Sequence, residues 1–183
     1  CRGGGDRAAE AVRSVDAAAA AGVGGVGGVG AAVADNHRVG GASGEVRGFD
    51  TRSGALRWTW DPVPQDSTNP GWSTWIGPNA RRTGAANAWT VFAADPARNV
   101  VYVPTSSPAV DYFGGERKGR NQSANSIVAL NAATGGVLWP FQTVQHDLSD
   151  YDNAAPPAPL PPPPGARPAP TPPPAPHPAH PLP

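Results

Sequence analysis

The stretch Gln142–Asp152, QTVQHDLSDYD, holds one imidazole, three carboxylates and a phenol within eleven residues. His146, Asp147, Asp150, Tyr151 and Asp152 are side chains that can take up, hold or release a proton. A carboxylate can serve as a general base, provided its environment tunes its pKa to the task. Residue types alone do not select which one. Taken alone, HDLSDYD is more often a solvated loop or strand end, and His146 a hydrogen-bonded group rather than a metal ligand. ADN at 34–36 is by itself a turn signal.

The elements that would position these residues are strands and turns. EVRGFD and ALRWTWD flank TRSG, a hairpin signal with Gly at the end of the turn. VVYVPTSS is an apolar, β-branched run that follows the turn DPARN. SIVALN and GVLWPFQ flank AATG, a second hairpin, in which Pro140 breaks the last strand or confines it to a sheet edge. Long loops are expected at 61–88 and 107–124.

The two hairpins are a repeat. Phe49 aligns with Leu130, Asp50 with Asn131, Ser53 with Thr134, Gly54 with Gly135, Leu56 with Val137 and Trp58 with Trp139, at a constant offset of 139 − 58 = 81 residues. Asp or Asn can hydrogen-bond its own turn, and Gly takes the positive φ. The Trp is a broad apolar plate suited to packing on a neighbouring unit. Strand units that cannot bury both faces alone suggest propeller blades. The offset exceeds the roughly 40–50 residues of a plain blade, and the long loops supply the excess.

Composition sets the outer limits. The chain has 183 residues, with 23 Gly and 24 Pro. Sixteen of the Pro fall in residues 154–183. That segment is expected to be polyproline-like or disordered. Residues 1–32 are Ala-, Gly- and Val-rich; DRAAEAVRSVDAAAAA could form a short helix, but an Ala/Gly/Val tract has no polar face and ends in glycines, so the segment is expected to be disordered. The folded part is expected over 33–152. Formal charge is zero, from 14 basic and 14 acidic side chains, and no basic run points to nucleic acid. Cys1 is the only cysteine, so no intrachain disulfide can form. No segment has the ~18 consecutive apolar residues of a membrane span.

The pattern A-x-D-x-x-T-G-x-x-x-W resembles the tryptophan-docking motif of pyrroloquinoline quinone (PQQ) dependent dehydrogenases. VADN at 33–36, SGEVRGFDTRSGALRWTWDP at 43–62 and TGAANAWTVFAADPARNVVYVPTSSPAVDYFGGER at 83–117 are similar to the glucose dehydrogenase branch. So are NQSANSIVALNAATGGVLW and FQTVQHDLSDYD. The resemblance covers about 33–152. It implies an all-β fold: about one full four-stranded blade plus part of another, from an eight-bladed propeller. The chain would then be a fragment of a larger enzyme, poorly stable alone.

The resemblance also implies a chemistry. Such enzymes oxidise sugars or other alcohols by hydride transfer to PQQ, with bound Ca²⁺ or Mg²⁺. Their electrons pass to a quinone or cytochrome, in the periplasm or at the outer face of the inner membrane. The catalytic base falls on Asp150, and metal-site residues fall on Asp35 and Asn36. Cofactor-binding residues are not assigned: the family's cofactor-contacting Lys lies downstream of the acidic cluster, where this chain carries its Pro-rich tail. Three positions depart from the pattern. Gln145 replaces a His, Ser149 replaces a Trp, and Ala109 stands at a Ser/Thr position near the metal. A non-catalytic scaffold of PQQ-type repeats, or a truncated or partly out-of-frame product, is the alternative reading.

Overall fold

A computed structural model describes residues 20–33 and 38–158. Eight strands form two sheets. β1 (Ala20–Val23), β2 (Val26–Val29), β3 (Val46–Asp50) and β4 (Leu56–Trp60) make the first. β5 (Ala93–Asp95), β6 (Val100–Pro104), β7 (Ser126–Asn131) and β8 (Val137–Gln142) make the second. Each is a four-stranded antiparallel meander in chain order. This is a partial propeller with two four-stranded blades, where one full blade and part of another were expected; the added strands complete the first.

The added strands come from segments with weak β signals. Sheet residues begin at Ala20, ahead of the boundary expected at Val33. There the Gly-Val tract forms a tight hairpin, with Gly24 and Gly25 at φ 58° and 80°. Both central residues at positive φ match the right-handed twist of paired strands. Val23 and Val26 point into the core and give the hairpin its apolar anchor. Residues 1–19 and 159–183, where disorder is expected, lie outside the described residues.

The repeat has a matching geometry in both sheets. Asp50 Oδ1 accepts from the Arg52 and Ser53 amides, at 3.1 and 2.9 Å. Asn131 Oδ1 accepts from the Ala133 and Thr134 amides, at 3.0 and 3.2 Å. The Gly54 amide reaches Asp50 O, and the Gly135 amide reaches Asn131 O, both at 2.8 Å. A register shift falls at Gly48/Phe49 in one hairpin and at Ala129/Leu130 in the other. Pro140 lies in β8, an edge strand that pairs only with β7, where its missing donor breaks no ladder.

The sheets pack face to face. Val46, Trp58, Val101, Val103, Val128, Leu130 and Ala132 share one core. Trp58 closes it: its indole N–H donates to Ala132 O at 2.8 Å, and its ring lies between Gly48 and Gly135. A Cβ at Gly135 would stand 2.7 Å from that ring, and one at Gly48 would overlap it. A smaller core of Val63, Trp75, Ala80, Ala86 and Ala124 lies beneath the loops. Trp75 is fully buried and donates to Gln122 O at 3.0 Å. These packed loops, 61–92 and 105–125, fill the 81-residue offset.

Asp61, just after β4, is half-buried. It accepts from Ser43 Oγ at 2.7 Å, the Val63 amide at 2.9 Å and Gln65 Nε2 at 3.2 Å. Burial nevertheless raises its pKa from 3.8 to about 6 against these bonds. A raised folded-state pKa means the carboxyl favours folding while protonated, and that contribution is lost as pH climbs through about 6. Asp61→Asn should therefore leave the melting temperature unchanged near pH 4 and raise it above pH 6. After screening by solvent the gain is about 1 kcal/mol. Thermal melts across that pH range check it, and an equal shift at all pH values would contradict it.

Candidate active site

The loops at one end of the sheets meet around the acidic stretch. After β8 the chain crosses back toward the start of β5. Thr143 Oγ1 donates to Asn153 Oδ1 at 3.1 Å, Asn153 Nδ2 to Thr105 O at 2.9 Å and Thr90 Oγ1 to Asn153 O at 3.2 Å. Between these ties the three carboxylates have three different environments.

Asp147 is buried and structural. It accepts from the Tyr151 amide at 2.7 Å, Ser149 Oγ at 2.8 Å and Asn125 Nδ2 at 3.2 Å. Burial pushes its pKa up, but the bonds from Tyr151 and Ser149 outweigh that and hold it below the usual value. Ser149, the departure from the family's Trp, is thus a partner of this carboxylate. Asp152 accepts from the Ser107 amide at 3.1 Å and Trp89 Nε1 at 2.9 Å. Burial raises its pKa above the ordinary range despite those donors, and the charges of Asp150 and Asp147 add to the rise.

Asp150 is half-buried and less enclosed by donors. The Tyr112 hydroxyl donates to its Oδ2 at 3.2 Å. Asp150 in turn raises the Tyr112 pKa by its charge and by that bond. Asp150 sits at φ 57°, a left-handed conformation that Asp tolerates better than most residues.

One buried cation joins the loops. Arg117 is fully buried. Its Nη2 donates to Asp147 O at 2.7 Å, Val110 O at 3.1 Å and Asp111 O at 3.4 Å, while Nη1 donates to Asn121 Oδ1 at 3.1 Å. It therefore ties the loop carrying Tyr112 to the loop carrying Asp150. Burial lowers its pKa, opposed by the charges of Asp111 and Asp147. His146 approaches Asn121 Oδ1 at 3.3 Å through Nδ1 and packs on Gly114. Its pKa is lowered by burial and then by Arg117, which favours a neutral, positioning imidazole.

The sequence pointed to Asp150, Asp35 and Asn36. Asp150 is in the loop cluster with an exposed face. Asp35 and Asn36 lie outside the described residues, although Asn87 Nδ2 holds Ala31 O at 2.8 Å on the approach to them. Tyr112 and Arg117 were not singled out. An available signal was YFGGER, where an Arg follows paired glycines inside a long loop. Among the described residues, no three His, Cys, Asp or Glu side chains come together as a cation site.

Two stacked meanders, joined by an indole and bearing long loops at one end, define a segment of a β-propeller. The family model for the glucose/ethanol/alcohol dehydrogenase β-propeller domain that carries the name PQQ matches residues 6–169, and the chain belongs to that family. The glycerol dehydrogenase large subunit of Gluconobacter oxydans is 38% identical over 122 residues, 66% of this chain and 16% of that protein. Quinoprotein glucose dehydrogenase A of Acinetobacter calcoaceticus is 38% identical over 129 residues, 69% of this chain and 16% of that protein. The quinohemoprotein alcohol dehydrogenase structure from Comamonas testosteroni superposes with a TM-score of 0.64 and 25% identity, over 75% of this chain and 22% of that one. The chain thus spans about a sixth of the length of the curated relatives it matches.

Proposed function

We propose that the chain supplies the base-bearing wall of a PQQ-dependent dehydrogenase that oxidises a sugar or polyol, with Asp150 as the base. The observation that carries this reading is the Tyr112–Asp150 contact on a loop fixed from behind by Arg117. Asp150 keeps an open side, so a substrate hydroxyl can hydrogen-bond to it and give up its proton as hydride leaves the adjacent carbon. Tyr112 orients the carboxylate. Asp152 accepts from the indole N–H of the exposed Trp89 at 2.9 Å, which adds an aromatic ring to the same loop cluster. When bound, PQQ supplies the hydride acceptor. A Ca²⁺ or Mg²⁺ ion would need oxygen donors such as Asp35 and Asn36, because the described residues alone provide no cation cluster. Glycerol and glucose dehydrogenases match this chain equally well, which supports a polyhydroxylated substrate. By the same resemblance the acceptor is a quinone or cytochrome, at the periplasmic side of the inner membrane.

The test is reconstitution of the full-length protein carrying this segment with PQQ and Ca²⁺ or Mg²⁺, followed by dye-linked oxidation of glucose and glycerol. Asp150→Asn is the informative variant, because Asn also tolerates the left-handed backbone. It should lower kcat about a hundredfold with KM little changed. It should also bring the Tyr112 pKa back toward 10.0, read by ultraviolet titration. PQQ binding without oxidation of any sugar or polyol would instead favour a non-catalytic scaffold.

A further inference from the structure

We infer that His146 is a positioning residue for Asp150: neutral, with its hydrogen on Nδ1, it closes a hydrogen-bonded ring that fixes the start of the turn carrying that carboxylate. The consequence for catalysis rests on Asp150 being the base; the placement itself does not.

Asn121 decides the tautomer. Its Nδ2 donates to Arg117 O at 2.7 Å and to Lys118 O at 3.4 Å, so Oδ1 is the atom turned toward Arg117 and His146. That oxygen accepts from Arg117 Nη1 at 3.1 Å and meets His146 Nδ1 at 3.3 Å. An amide oxygen can only accept, so the hydrogen belongs on Nδ1. A neutral imidazole has one N–H, which leaves Nε2 bare. The surroundings suit a bare nitrogen, because Nε2 and Cε1 lie against Gly114 and next to Leu148. Burial and the Arg117 cation both favour the neutral form, against a weaker pull from the Asp147 charge.

The ring closes through the backbone. Arg117 Nη2 donates to Asp147 O at 2.7 Å. The guanidinium, the Asn121 oxygen, the imidazole and the His146–Asp147 peptide therefore form one cycle. Beyond it, the Asp147 carboxylate accepts from the Ser149 amide at 3.2 Å and the Tyr151 amide at 2.7 Å. Those residues are the two chain neighbours of Asp150. The chain from His146 to Asp150 is thus one bonded turn, left-handed at both ends, with φ 49° and 57°. Tyr112, which donates to Asp150, belongs to a loop that the same Arg117 holds through Val110 O. A displacement at His146 is carried along this turn to the Tyr112–Asp150 contact. Gly114 gives the ring its space, since a Cβ there would overlap the imidazole.

The test uses the full-length protein carrying this segment. His146→Asn keeps an N–H near the Nδ1 position, and His146→Gly has no donor; both residues accept the left-handed backbone. Ultraviolet titration, taken as the difference from Tyr112→Phe, reads the contact directly. Tyr112 should titrate above 10.0 in the parent and in His146→Asn, and should fall back toward 10.0 in His146→Gly as Asp150 moves away. In dye-linked oxidation of glucose, His146→Gly should lose about tenfold in kcat with KM little changed, as a misplaced base would, and His146→Asn should recover most of that loss. Gly114→Ala crowds the ring from the other side and should behave like His146→Gly, so the question stays answerable if one of them does not fold. An unchanged Tyr112 titration in His146→Gly or Gly114→Ala would overturn the inference. So would His146→Asn behaving no better than His146→Gly. A parent that oxidises neither glucose nor glycerol would remove Asp150 as the base, while the Tyr112 titration would still decide whether His146 places it.

Discussion

Trp58→Ala should destabilise the chain by about 4 kcal/mol, within the range for emptying a large aromatic site in a packed core. The side chain fills the gap between the sheets, where two glycines leave room for nothing else. Removing it opens a cavity lined by backbone, which cannot collapse inward as side chains can. It also strips Ala132 O of its indole donor, leaving a buried carbonyl to find another partner. Trp58→Phe should recover most of the packing but not the hydrogen bond, and should fall between the two. Denaturant titration reads the series, and loss of the near-ultraviolet dichroism in Trp58→Ala, with far-ultraviolet signal retained, would show the sheets parting before their strands melt. A cost below about 1 kcal/mol would mean that Trp58 does not join the blades, because surface substitutions fall in that range.

The parts of the fold legible in the sequence were those with a local chemical reason. Asp50 and Asn131 each cap their own turn, so the D/N-x-x-S/T-G spacing showed the two hairpins and their repeat. Trp58 was legible as an inter-sheet plate because the repeat placed it beside that turn. The strands β1, β2 and β5 were harder to read. They are rich in Gly and Ala, whose low β propensity is offset here by burial of Val23 and Val26 in the strands and of the adjoining Phe92. That is a tertiary effect with no local signature. The site divides in the same way. Asp150 was reachable through the resemblance of its segment. Tyr112 and Arg117 come from a loop thirty or more residues earlier, and only the folded chain brings them to it.

Arg117→Met should cost about 4 kcal/mol, the scale for breaking a buried charge arrangement from one side. Methionine can occupy much of the volume, so lost packing is a minor part of the cost. The main part is the abandoned polar groups: the carbonyls of Val110, Asp111 and Asp147, the Asn121 amide oxygen, and two buried carboxylates that lose their nearby cation. The charges set a pH signature. Without the guanidinium, Asp147 is held less readily as an anion, so its folded-state pKa rises. A raised value favours folding at low pH and loses that advantage as pH increases. The deficit of Arg117→Met relative to the parent chain should therefore be smaller at pH 4 than at pH 7. Adding Asp111→Asn should recover part of the pH 7 deficit, by removing one of the two anions that Arg117 offsets while keeping a hydrogen-bonding side chain. A deficit independent of pH, with no recovery in the double variant, would show that Arg117 acts by filling space and not by binding the loop of Tyr112 to the loop of Asp150. If the charge account holds, Asp150 and Tyr112 share a support that neither segment carries alone.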